Sequence, residues 1–188
     1  MIKKISIFPF FVAILICNIY SNNIKSQAFK KNDFNISMGW GKPSILSAVF
    51  SQFIYIDTMN THRLNVNGPY YIKVEYAVSN KIGLGLDYSF SHNHNMNYTD
   101  DYEYFTFNVH YIAFRTNCHI GHNKIFDPYI GMGIGAAFGI EINVMSNLTF
   151  GSKIYISKRF ALYGEMGMDH SIFQLGGVFH FSKPKIDL

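Results

Sequence analysis

Between Phe34 and Phe181 the chain alternates between apolar and small or polar residues eight times over, in segments separated by turn signals. Phe34, Ile36, Met38 and Trp40 interleave with Asn35, Ser37, Gly39 and Gly41, and Tyr70, Ile72, Val74, Tyr76 and Val78 with Tyr71, Lys73, Glu75, Ala77 and Ser79. The third segment sets Ile82, Leu84, Leu86, Tyr88 and Phe90 against Gly83, Gly85, Asp87 and Ser89. The fourth, roughly 104–120, sets Ile112, Phe114, Cys118 and Ile120 against Ala113, Arg115, Asn117 and His119. The remaining four cover roughly 128–138, 148–156, 160–168 and 173–181. A period of two puts the apolar residues of each segment on one face of a β-strand. The composition of the other face separates two architectures. A β-sandwich turns that face to water and fills it with Lys, Glu, Thr and Arg. Here it is Gly, Ala, Ser and Tyr with single charges of both signs, which suits a narrow, crowded interior. An eight-stranded barrel has a lumen just wide enough for side chains to fill. The expected fold is therefore all-β, an eight-stranded antiparallel up-and-down transmembrane β-barrel, with its apolar parity turned to lipid.

The fourth segment contains an irregularity. Phe105, Phe107, Val109 and Tyr111 occupy the parity that is polar farther along, so a β-bulge, or a section standing above the membrane, is expected there. The links add direction. Short candidates at Asn80-Lys81, 121–127 and Lys158-Arg159 alternate with long ones at 42–69, 92–101 and 140–147, and only the Asp169–Ser171 link breaks the alternation. Short turns on one rim and long loops on the other, with both termini at the short-turn rim in the periplasm, is the outer-membrane arrangement. Phe34, Trp40, Tyr70, Phe90, Phe160, Phe179 and Phe181 are placed for the two interfacial aromatic girdles.

The N-terminus reads as an address. Lys3 and Lys4 precede an apolar run, Ile5 to Cys17, of about 13 residues where a membrane helix needs about 20, and a polar stretch then ends Ser26-Gln27-Ala28. A secretory signal over 1–28, cleaved after Ala28, leaves one domain over 29–188 with its barrel at about 34–181. Charged residues are 15% of the chain and aromatics 17%, which excludes a disordered chain. Net charge is +4, and three of its cations, Lys3, Lys4 and Lys25, leave with the signal, so no basic footprint for nucleic acid remains.

Glu75, Asp87, Arg115, Lys153 and Glu165 all lie roughly four to six residues up their strands from the short-turn rim, on the inward parity. With Lys73 the inward set counts three positive and three negative charges, which are expected to form a lumen network. A structural plug is preferred to an ion or proton path, because small barrels are filled and structural ion pairs are common. No catalytic residue, cofactor or metal site is expected. His62, His92, His94 and His170 fall in loops assigned to the outer rim and His119 and His122 by the other rim, and of these His92 and His94 offer two ligands where a metal site needs a third. His170 and Ser171, next to Asp169, resemble a hydrolase pair, but neighbouring strand residues point to opposite faces. The loops at 42–69 and 92–101 are the candidate surface for an external ligand. The first of these carries Ile45, Leu46, Val49, Phe50, Phe53, Ile54, Tyr55 and Ile56, apolar enough to extend the first hairpin, form a plug or meet a partner.

Several stretches resemble the small outer-membrane β-barrel family of Bacteroidetes-type bacteria, which is similar in shape to the OmpA and OmpX barrels. They are Pro69 to Tyr76 followed by Ile82-Gly83-Leu84-Gly85; Ala113-Phe114-Arg115 with His119; Asp127 to Gly131; Tyr163 to Gly167; and the closing Leu175 to Phe181. The resemblance implies a porin-like or structural protein in a Gram-negative cell envelope. Its implied partners are outer-membrane lipid and the barrel-assembly machinery, and its implied state is a monomer.

Overall fold

The structure, a computed structural model, describes residues 28–45, 63–96, 104–121, 124–139 and 141–182. All but the last residue of the expected signal segment 1–28, most of the apolar first loop, His62 and His122 lie outside the described residues. Eight strands run β1 (Phe34–Ser44), β2 (Arg63–Ala77), β3 (Ile82–Met96), β4 (Tyr104–His119), β5 (Phe126–Phe138), β6 (Ile142–Tyr155), β7 (Phe160–Met168) and β8 (Ser171–Phe181). Each pairs antiparallel with its neighbour in sequence, and β8 pairs back onto β1, so the sheet closes.

The stagger of that closure can be followed through the register. From Phe34 the partners are Tyr76, Leu84, Thr116, Met132, Leu148 and Met168. The tight β7–β8 turn then leads to Ser171, whose partner on β1 is Ser44. The circuit returns ten positions above its start, 44 against 34, and in eight strands that stagger tilts the strands by roughly 40°.

The burial pattern is that of a soluble protein turned inside out. Among the described residues 31 large hydrophobic side chains are exposed, on the outward parity of all eight strands, in the adjoining links and, as Ile172, at one strand end. The buried set holds 24 polar or charged residues against 12 hydrophobic ones. An exterior of this kind is stable against hydrocarbon, and the closed sheet leaves no edge with unpaired backbone groups.

Glycines on the inward parity make the lumen passable for large side chains. A Cβ at Gly39 would stand 2.6 Å from the Tyr71 hydroxyl, one at Gly151 2.6 Å from the Tyr129 ring, and one at Gly131 2.3 Å from the Arg115 guanidinium. Each lacks a side chain because a neighbouring strand fills its space.

The structure differs from the sequence reading in strand regularity and at several strand ends. β4 has no bulge: its pairing with β3 is continuous from Cys118 to Tyr104, and Phe107, Val109, Tyr111 and Ala113 all point inward. What changes along β4 is the chemistry of the lumen, and outside, Thr106 and Asn108 are exposed, as suits a section standing above the hydrocarbon. The irregularity lies between β2 and β3, at Asn67 and Tyr70. The expected loop at 140–147 is mostly strand, since Ile142 to Asn147 pair with β5. Likewise β2 begins at Arg63 and β3 runs to Met96, so parts of the expected loops 42–69 and 92–101 are barrel wall.

Candidate functional site

Two carboxylates organise the lumen. Glu75, from β2, faces the end that carries the β2–β3, β4–β5 and β6–β7 links. Its Oε2 accepts from Lys153 Nζ on β6 and from Asn35 Nδ2 at 3.1 Å; its Oε1 accepts from Asn117 Nδ2 and lies 3.0 Å from His119 Nε2. His119 Nδ1 is 2.8 Å from Asp127 Oδ2, and the ring of Phe29 stacks on the imidazole at 3.6 Å and 9°. Phe29 is fully buried, so the segment before β1 closes this end of the lumen.

Glu165, from β7, organises the middle. Its Oε2 accepts from Lys73 Nζ at 2.7 Å and from an Arg115 terminal nitrogen at 3.0 Å; its Oε1 accepts from the other at 2.8 Å and from the Tyr129 hydroxyl at 2.6 Å. Arg115 also donates to Asn117 Oδ1 (2.7 Å) and Thr149 Oγ1 (2.6 Å). Asn117 thus receives from the Glu165 group and donates to the Glu75 group, and one hydrogen-bonded set crosses the barrel.

A third group sits farther from the short links. Asp87 lies 3.5 Å from Lys73 Nζ and 3.7 Å from Arg115, and Asp169 lies 3.9 and 3.7 Å from the same two cations. Gln174 Nε2 and Asn147 Nδ2 donate to Asp169 at 3.0 and 3.2 Å, and His170 Nδ1 is 3.2 Å from its Oδ1. Beyond this group Phe107, Val109, Tyr111, Ala113 and Ala137 pack with Met145 into an apolar cluster.

All six residues expected on the inward parity are brought together and buried: Lys73, Glu75, Asp87, Arg115, Lys153 and Glu165 are each at most 7% exposed. The charge count is fuller than three against three. Asp127 and Asp169 add two carboxylates, and the imidazoles of His119 and His170 stand against them. His170 is a correction, since a residue expected on a solvated outer loop is fully buried. The pair it was weighed for does not form: Ser171 Oγ donates to the Phe173 carbonyl at 3.2 Å. His92 turns outward against Asn108 at 2.6 Å, while Asn93 between it and His94 is fully buried. Among the described residues Asp87, Asp169 and His170 form a group with metal-ligand spacing, but Lys73 and Arg115 stand against the same oxygens and supply the positive charge.

The sequence matches no protein-family model and no curated protein. Solved structures do resemble the fold. The outer membrane protein OprG of Pseudomonas aeruginosa superposes with a TM-score of 0.52 at 10% identity, over 85% of this chain and all of that one. The N-terminal β-barrel domain of OprF from the same organism gives 0.47 at 15% identity, over 81% of this chain and 99% of the other. The attachment invasion locus protein Ail of Yersinia pestis gives 0.41 at 12%, over 80% and 99%. The likeness is one of fold. The chain is a closed eight-stranded β-barrel of the outer-membrane type.

Proposed function

We propose that the protein is an integral outer-membrane barrel with a side-chain-filled lumen, serving as a structural and surface-interaction protein through its outer loops. One observation carries the reading: the hydrogen-bonded set around Glu75, Asn117 and Glu165 crosses the lumen between Phe29 at one end and the Phe107–Tyr111 cluster at the other. A solute path would have to break several buried ion pairs, and stripping one charge of its partner costs about 3–5 kcal/mol. The rim with short links also carries the two ends of the described chain, which favours a periplasmic position for that rim. Outer-membrane lipid and the barrel-assembly machinery are its partners, the barrel works as a monomer, and any external ligand meets the loops within 42–69 and 92–101. The narrower Bacteroidetes-type likeness rests on the sequence motifs alone.

Purified protein in planar bilayers tests the reading. A quiet bilayer, together with a band from outer-membrane fractions that shifts on heating, is the expected result. Steady single-channel conductance would replace the plug with a narrow channel. Altered lipid A acylation in cells with the gene would instead point to a rim hydrolase.

A further inference from the structure

The end of the barrel with the short links has a one-sided surface charge. Lys30, Lys31, Lys124, Lys158 and Arg159 are exposed there. Its carboxylates among the described residues, Asp33 and Asp127, are 3% and 0% exposed and engaged internally: Asp33 accepts from the Lys30 backbone N–H, and Asp127 faces His119. Among the described residues no exposed carboxylate is left on that surface to neutralise the cations, and Asp33, which borders the cavity below, is buried. The segment carrying Lys30 and Lys31 is tied to the barrel, since the Asn32 N–H donates to the Ala77 carbonyl at 2.8 Å and the Lys31 N–H to Asn80 Oδ1 in the β2–β3 turn at 2.9 Å. Lys124 lies in the β4–β5 link, and Lys158 and Arg159 form the tip of the β6–β7 turn.

Four of these cations, Lys30, Lys124, Lys158 and Arg159, line a single cavity of about 840 Å³. The same cavity is walled by Ile125 and Phe181, which are 58% and 54% exposed and continue the apolar exterior. A site for a dissolved anion needs the cations only. A site that joins cations to the lipid-facing wall matches a molecule that is anionic at one end and hydrocarbon at the other.

We propose that this cavity binds one anionic phospholipid from the leaflet on its side, with the phosphate among Lys30, Lys124, Lys158 and Arg159 and an acyl chain along Ile125 and Phe181. The proposal rests on the membrane-spanning reading. Basic groups at a membrane surface favour anionic over zwitterionic headgroups, and burial of acyl carbons adds an affinity that a free anion lacks.

Native mass spectrometry of the full protein extracted in detergent tests this, with phosphatidylglycerol and phosphatidylcholine of identical chains as probes. Retention of one phosphatidylglycerol under conditions that strip phosphatidylcholine is expected. The triple variant Lys124→Gln, Lys158→Gln, Arg159→Gln should weaken that retention on the order of a hundredfold and leave the heat-shifted gel band in place. Equal retention of both lipids, or full retention by the triple variant, overturns the site. Displacement of the lipid by inorganic phosphate at similar concentration also overturns it, because the ligand is then a free anion. A protein that shifts on heating yet shows no lipid preference loses this site and keeps the barrel reading; one that does not shift loses both.

Discussion

Glu165 shows how much of the lumen depends on a single group. It accepts from Lys73, Arg115 and Tyr129, and its removal leaves two buried cations without their closest carboxylate. Glu165→Ala should therefore destabilise the barrel by about 3–5 kcal/mol, read as a lower temperature for the gel shift of the folded band. Glu165→Gln, which keeps the shape and loses the charge, should fall between Ala and wild type; a transition unchanged in both would count against the network. Gly131→Val pushes a side chain into Arg115, Asn117 and Thr149, and overpacking of this kind should cost about 1–3 kcal/mol in the same assay. The six expected charges were legible because each stood on the parity opposite its strand's apolar residues, and that parity could only face inward once the apolar one faced lipid. Asp127 and Asp169 were not, since one opens β5 and the other lies in a turn, where alternation no longer assigns a face. His170 was lost for the same reason: its burial comes from the tight β7–β8 turn, and turn residues are usually solvated.

At the scale of elements, β4 is the instructive case. Its pairing is regular throughout, and the apparent change of parity is a change in what the lumen holds, from Arg115 and Asn117 below to Val109 and Phe107 above. A pattern method that equates inside with polar reads that switch as a bulge. The same logic hid the start of β6, where Asn143, Ser146 and Asn147 look like loop composition but pair with β5. Two neighbouring substitutions separate the faces. Val109→Asp buries a charge in the apolar cluster and should abolish the heat-shifted band, whereas Asn108→Asp, on the exposed face, should leave it unchanged. Ile112→Arg, also outward but 51% exposed on the apolar wall, should cost about 2–4 kcal/mol if it lies near mid-membrane. Tolerance of Val109→Asp would mean that the upper lumen is open to water.

Across the whole molecule, eight strands at a stagger of ten, an apolar exterior and a polar interior describe one wall with two solvents. Architecture was the most legible property because it rests on many independent alternations, each pointing the same way. Activity was the least legible, since inward residues in such a barrel are chosen for fit and charge balance and no reacting constellation singles itself out. The buried network lies beyond the reach of dissolved ions, so raising salt from low to molar concentration should leave the unfolding temperature nearly unchanged. A steep fall would place those pairs in water. The central claim is that the apolar parity faces hydrocarbon, and the chain's one tryptophan, Trp40, 42% exposed on that parity, reports on it directly. Its fluorescence in vesicles of lipids brominated along the acyl chain should be strongly quenched, most by bromines near the interface, while aqueous acrylamide quenches little. Emission untouched by brominated lipid would place Trp40 in a protein core and contradict the account.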